Sequence, residues 1–336
     1  MWRTIGQSKA IALLENGFLT GNLAHAYLFV GPPHVGKNTL ALDLAQALNC
    51  EHTNPPCGEC SPCRRILGGK HSDVVIIGLN SNHARSSTST KARLEIGIEE
   101  IRELQREASL PPYEGKYKVF VIDGAEYLSH EAANCLLKTL EEPSPKVVFL
   151  LLAAEETRLL STIISRCQRV ELRQMPRQEI ERFLVESRGL GDSEASLLSR
   201  LSDGCIGWAL MASIEDSNIQ QRNQRLEKLK PLLKADWDGR FSYAAEVEND
   251  RNAALEMIKA WLVWWRDIML IKCDCKEFVT NVDAVSTLEK WAQVLSLREI
   301  GNFIDTLQES LNQILRNANL RLVFEVLMLD MPRKEE

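Results

Sequence analysis

The chain has 336 residues, 45% hydrophobic and 26% charged, with 46 acidic against 40 basic side chains and a net charge of −6. That length exceeds what one core usually serves, so two or three domains are expected. The acidic balance argues against a protein whose whole surface grips nucleic acid, because such domains are usually basic, and leaves room only for a local basic patch.

Met1 to Gln7 lack the charged-then-apolar pattern of a secretory signal. The most apolar helical stretch, Ala253 to Ile271, carries Lys259, Arg266 and Asp267, three charges that a membrane span rarely tolerates. A cytoplasmic protein without a membrane partner is expected. In that compartment nine cysteines point to metal or free thiols rather than to a disulfide framework.

In chain order, Ala26–Val30 reads as a buried strand, followed by Gly31-Pro32-Pro33-His34-Val35-Gly36-Lys37 and a helix with Leu40, Ala41, Leu44, Ala47 and Leu48 on one face. Strand, glycine loop, lysine and helix N-terminus form the context of a phosphate-binding loop. Backbone N–H groups and the helix dipole would hold phosphate there, and Lys37 would neutralise it. Gly31, Gly36, Lys37, Asn38, Thr39 and the later Asp123 are the candidate nucleotide residues. The motif ends in Ser or Thr because that hydroxyl ligates Mg²⁺. Asn38 stands there instead, and Thr39 comes one residue late, about 100° round the helix. Productive Mg²⁺ placement is therefore not expected, and whether ATP still binds is left open.

Cys50, Cys57, Cys60 and Cys63 follow as Cys-x6-Cys-x2-Cys-x2-Cys, with Pro55, Pro56, Gly58 and Pro62 bending the chain between them. Four thiolates this close suit a closed tetrahedral Zn²⁺ site, hence a structural one. A redox Cys-x-x-Cys pair is the rival, weakened because the pairs overlap in one knot. Cys135, Cys167, Cys205, Cys273 and Cys275 lack such company and are read as buried or incidental.

Asp73–Ile77, Lys118–Ile122 and Val147–Ala153 are further strand-like runs, alternating with helical patterns up to about Arg173. That alternation predicts a parallel sheet with helices on its faces. Asn80 to Ala92 is polar and without periodicity, and is expected to be a loop. Asp123, at the end of its strand, is read either as a cation holder or as a loop cap. Beyond Met175-Pro176 the pattern is helical, with a turn at Gly189 to Asp192 between two small helices. Ala254, Ile258, Trp261, Leu262, Trp265 and Met269 recur at helical spacing, as do Leu320, Phe324 and Leu327. They predict a bundle with a Trp-rich core.

Ser165-Arg166-Cys167, placed after the Val147–Ala153 strand and a short helical turn, resembles the signature of bacterial clamp-loader subunits of the AAA+ class. Ala24-His25-Ala26-Tyr27-Leu28-Phe29, the run from Asn134 to Pro143 (Asn-Cys-Leu-Leu-Lys-Thr-Leu-Glu-Glu-Pro), and the four-cysteine insertion resemble the same family. The likeness is strongest over 1–173, and the later helices suit the family's lid and collar. The resemblance implies an α/β AAA+ P-loop domain with a parallel sheet and a zinc insertion over 1–173. A small helical lid domain over 174–223 and an all-α collar over 224–336 would follow.

The resemblance also implies that Arg166 sits at the edge facing the next subunit's ATP. Four positions depart from the family's hydrolysing members: Asn38, Gly124 where a water-polarising Glu follows the Asp, Ala154 where a hydroxylic residue follows the fourth strand, and Gly207 where the lid carries an Arg. That combination fits the member that stimulates a neighbour's ATP site rather than running its own. Its implied partners are gamma/tau-type and delta-type subunits, contacted through the collar and AAA+ faces. The sliding clamp and primed DNA would be met through the assembled complex. The alternatives are an active gamma/tau-type ATPase, a zinc-dependent DNA-binding protein and, last, a small-molecule P-loop kinase.

Overall fold

Five runs form strands, and the three central ones, β1, β3 and β4, are apolar and buried on both sides almost throughout, which only a sheet covered on each face allows. They are β1 (Ala26–Val30), β2 (Val74–Gly78), β3 (Lys118–Asp123), β4 (Val147–Ala153) and β5 (Gln168–Glu171), all parallel and ordered β2-β3-β4-β1-β5. The computed structural model describes residues 2–79, 95–214, 217–247 and 250–333. The polar segment Asn80–Ala92, expected to be a loop, lies outside the described residues.

Helices α1 (Ser8–Leu19) and α2 (Lys37–Asn49) cover one face of the sheet, burying Leu14, Leu40, Leu44 and Leu48 against Phe29, Val121, Leu150 and Leu152. After the short α3 (Ser61–Leu67) come α4 (Ile98–Ala108) and α5 (His130–Glu141) on the other face, where Ile101, Leu104, Leu136 and Leu140 meet Phe120, Ile122, Phe149 and Leu151. Helix α5 starts where the Ser129 side chain accepts the Ala132 N–H, a standard N-cap. The one-turn α6 (Ser161–Ile164) then leads into β5.

Strand β5 has no counterpart among the expected strands. It reads Gln-Arg-Val-Glu, with only Val170 buried, because it is an edge strand with one neighbour. Strand β2 begins at Val74 rather than at Asp73. The Asp73 carboxylate instead accepts the N–H groups of Tyr113, Glu114 and Gly115 at 2.7–2.8 Å; burial works to raise its pKa, but these bonds together lower it.

Two compact units result: Met1–Pro176 with Gly204–Trp208, and Arg177–Asp203 with Ala209–Glu336. The second unit is helical throughout its described residues. It contains α7 (Arg177–Arg188) and α8 (Asp192–Leu201), parted by the expected turn, and most of α9 (Ile206–Ile214). The series continues with α10 (Ser217–Lys234), α11 (Trp237–Glu246), α12 (Arg251–Lys272), α13 (Val285–Val294), α14 (Leu297–Leu315) and α15 (Leu320–Asp330). The tryptophan stripe is core: Trp261, Trp264 and Trp265 are fully buried, with Trp265 packed 4.6 Å from the Phe303 ring. No helix of the described residues is long and apolar enough to cross a membrane.

One cation is sealed inside this unit. Arg240 is 0% exposed and donates to the carbonyls of Leu232 (3.1 Å), Met328 (3.0 Å), Met331 (2.7 Å) and Pro332 (3.1 Å). A guanidinium at the end of α15 satisfies carbonyls that the helix leaves open, and its charge suits that end of the dipole. Arg240→Ala is expected to lower unfolding stability by about 3 kcal/mol, since buried carbonyls lose their donors. Chemical denaturation of the full chain measures it; a change below about 0.5 kcal/mol, the usual surface value, would show that water replaces the arginine at no cost.

Candidate functional site

The strand registers bring the chemistry-bearing loops to one end of the sheet. Val30 pairs with Ala153 and Glu171, Gly78 with Asp123, and Asp123 with Leu152, so the segments after β1, β3 and β4 leave from the carboxyl edge together. That edge is where open α/β sheets hold ligands.

The glycine loop after β1 has the backbone its sequence demands. A Cβ on Gly31 would lie 2.5 Å from the Leu172 carbonyl oxygen, and Gly36, at φ 108°, starts α2 from a conformation that suits glycine. His34 is left-handed at φ 61°, and its carbonyl accepts the Gly207 N–H at 2.9 Å. Lys37 does not project freely: its Nζ donates to the carbonyls of Gly31 (2.6 Å) and Pro32 (2.8 Å). Burial pushes its pKa down, while the charges of Glu126, Asp123 and Cys205 oppose that shift. Asn38 Nδ2 reaches Asp123 Oδ2 only at 3.4 Å, and Thr39 follows it half-buried. All six residues predicted to meet nucleotide therefore belong to one unit, at one edge of its sheet.

The four departures have physical consequences. Gly124 sits at φ 80°, and a Cβ there would lie 2.8 Å from Tyr127 Cδ2. A Cβ on Gly207 would lie 2.6 Å from the His34 carbonyl oxygen, so no arginine fits this backbone. Ala154 gives its N–H to Glu126 Oε1 at 2.9 Å, and the other oxygen, Glu126 Oε2, is buried without a partner among the described residues. Glu126 is thus drawn to the segment after β4 by a contact that its position in the sequence did not signal.

The four clustered cysteines converge. Their sulfurs all lie within 4.8 Å of one another, with Cys50–Cys60 at 4.0 Å and Cys57–Cys63 at 3.9 Å. Zn–S bonds of about 2.3 Å in a tetrahedron put sulfurs roughly 3.8 Å apart, so the donor set and its spacing are compatible with zinc. The N–H groups of Cys60 (3.3 Å) and Glu59 (3.4 Å) point at Cys57 Sγ and bring its pKa down to about 6. Burial drives the Cys63 thiol up. Gln46 Nε2 donates to the Cys63 carbonyl at 2.7 Å, and Lys116 Nζ donates to the Cys50 carbonyl, fixing the knot to α2 and to the segment before β3. Cys135, Cys167, Cys205, Cys273 and Cys275 lie outside the cluster and form no disulfide.

Arg166 lies between α6 and β5, its side chain 33% exposed. Its Nη1 donates to the Thr162 carbonyl at 2.9 Å and its Nη2 to Glu141 Oε1 at 2.5 Å. Among the described residues its hydrogen bonds go to Thr162, Ser165 and Glu141, and none reaches the glycine loop after β1. Cys167 beside Arg166 is half-buried, and desolvation pushes its thiol up to about 12.

The sequence profile of the family described as "DNA polymerase III, delta subunit" matches residues 6–176. DNA polymerase III subunit tau of Bacillus subtilis is 29% identical, over 96% of this chain and 59% of that protein. Subunit delta' of the same organism is 28% identical, over 96% of this chain and 95% of that protein. Among solved structures, a gamma-subunit-related protein of DNA polymerase III from Thermotoga maritima matches with a TM-score of 0.46 at 18% identity, covering 94% of this chain and 97% of that one. The chain spans about three fifths (59%) of the tau relative's length. Overall identity does not separate the tau from the delta' relative.

Proposed function

This chain belongs to the DNA polymerase III delta-subunit family, and we propose that it is the delta-prime type of clamp-loader subunit, a part of the loader that assists a neighbour's ATP site. The observation that carries the reading is a contrast within one domain. The phosphate loop keeps its frame, but Asn38, Gly124, Ala154 and Gly207 leave it without the groups that place Mg²⁺, activate water and sense phosphate. Arg166 meanwhile sits half-exposed at an edge, away from its own loop. An arginine so placed has no phosphate of its own to serve, which favours a role in trans. It would neutralise charge developing on a phosphoryl group held by a gamma/tau-type neighbour.

In the same reading Cys50, Cys57, Cys60 and Cys63 hold one structural zinc. Residues 174–223 act as the lid and 224–336 as the collar that joins a ring with gamma/tau-type and delta-type subunits. The protein works in the cytoplasm, meeting the sliding clamp and primed DNA through the assembled complex.

The isolated chain is expected to turn ATP over far below about 1 s⁻¹, the low end for an ordinary enzyme. Restoring the missing carboxylate should not repair it. In Gly124→Glu the new side chain starts from a left-handed backbone and meets the Tyr127 ring at its first atom, so the variant is expected to lose stability without gaining turnover. Steady-state hydrolysis by the purified chain, wild type and variant, is the test. Turnover near 1 s⁻¹ in the wild type would favour the gamma/tau-type reading instead.

A further inference from the structure

Arg166 is held on its own subunit by an ion pair with Glu141. Glu141 is the last residue of α5, and Glu142 follows it, so two carboxylates stand at a helix C-terminus. That end of the dipole favours cations, and acidic groups there work against the helix. Arg166 offsets Glu141 with one 2.5 Å bond, Nη2 to Oε1, while its Nη1 is anchored on the Thr162 carbonyl of α6. The pair is open to solvent, at 33% exposure for Arg166 and 49% for Glu141. An ion pair so exposed is weak. It also uses one carboxylate oxygen, where a phosphoryl group offers three and can take the guanidinium fork through two bonds at once.

We infer that Glu141 is a holding residue for Arg166: it keeps the guanidinium at the subunit's own edge until a neighbour's phosphate draws it away. The inference rests on the trans role proposed above and adds its regulation. The weakness of the bond is what suits it to the task, because a strong buried pair would not release. The carboxylate wins while no phosphate is presented, and the phosphate wins once it arrives, so the contact suppresses idle turnover without limiting the assembled site. Glu141 does not touch the reacting atoms in this scheme; it acts through Arg166.

The test uses the reconstituted loader carrying wild type, Glu141→Gln, Arg166→Ala or both changes, with ATP hydrolysis measured with and without clamp and primed DNA. Glutamine keeps the helix end and the side-chain length but removes the charge. Glu141→Gln should raise the unstimulated rate about 1.5- to 5-fold, the range an exposed ion pair of this kind covers, and leave the stimulated maximum unchanged. The double variant should fall back to the Arg166→Ala rate in both conditions, which a merely structural role for Glu141 would not produce. If Arg166→Ala lowers the stimulated rate but Glu141→Gln leaves the unstimulated rate unchanged or lower, the holding role is wrong and the trans role stands. A rise that persists in the double variant also overturns the holding role. If Arg166→Ala changes nothing, the trans reading fails, and this inference fails with it.

Discussion

Arg166→Ala should leave the chain folded and able to join its complex, yet remove a substantial part of the loader's ATP hydrolysis in the presence of clamp and primed DNA. The structural cost is small, because truncating a surface arginine usually changes stability by about 0.5 kcal/mol. Losing the screened pair with Glu141 adds at most about 1 kcal/mol. The chemical cost is large. An arginine that neutralises a transferring phosphoryl group contributes roughly 10³- to 10⁵-fold at the site it serves. The loss should appear only in the assembled complex, as a drop in total rate by the share of that one site, since the isolated chain has no turnover to lose.

Arg166→Lys should fail nearly as badly. An ammonium keeps the charge but not the planar fork that grips two oxygens. A surface residue doing nothing but solvating α6 would tolerate both changes. Steady-state hydrolysis by wild-type and variant loaders, with assembly checked by size-exclusion chromatography, separates the cases. A variant that assembles and hydrolyses at the wild-type rate would make Arg166 an ordinary surface group and end the trans mechanism.

Much of this was legible in the sequence because local spacing carried it. Strands β1 and β4 were bounded correctly from uninterrupted apolar runs, the turn between β1 and α2 from its glycines, and the four-cysteine knot from spacing alone. What stayed hidden depended on long-range approach. Strand β5 is polar because an edge strand buries only Val170, so neither periodicity nor hydrophobicity marks it. Gly124 and Gly207 read as missing functional groups, but nothing in the sequence says that Tyr127 and the His34 carbonyl already fill the space a side chain would need. The Glu126–Ala154 and Arg166–Glu141 contacts span 28 and 25 residues, and only the packed sheet and helices bring those groups together. Arg240 gave no signal either, since a lone arginine in a helix is usually a solvated one.

The cysteine knot leads to the other large expected effect. The purified chain should carry about one zinc, and removing it should collapse the stability of the first unit. The sulfurs already converge to 3.9–4.0 Å in two pairs, close to the roughly 3.8 Å edge of a zinc–thiolate tetrahedron. Four thiols held this close with Cys50, Cys60 and Cys63 buried gain little from one another. With zinc they gain a binding free energy of about 10–16 kcal/mol in comparable structural sites at pH 7, as large as the whole stability of a typical domain.

Cys60→Ser removes one thiolate, and its expected result is lost metal together with a marked fall in melting temperature. Acid should act in the same direction, because zinc binds thiolates and protons compete for them. Cys57, lowered to about 6 by the Cys60 and Glu59 N–H groups, would resist protonation longest, while Cys63, raised by burial, is a thiolate at neutral pH only when metal holds it. The knot is tied to the rest of the unit through the Lys116 bond to the Cys50 carbonyl and the Tyr117 N–H bond to Asn49 Oδ1 at 2.9 Å. Metal loss should therefore loosen the segment before β3 as well as the knot itself. Elemental analysis, thermal unfolding with and without a strong chelator, and amide exchange at Tyr117 together measure this. Metal-free protein with unchanged melting temperature and unchanged exchange at Tyr117 would leave the four cysteines as free thiols.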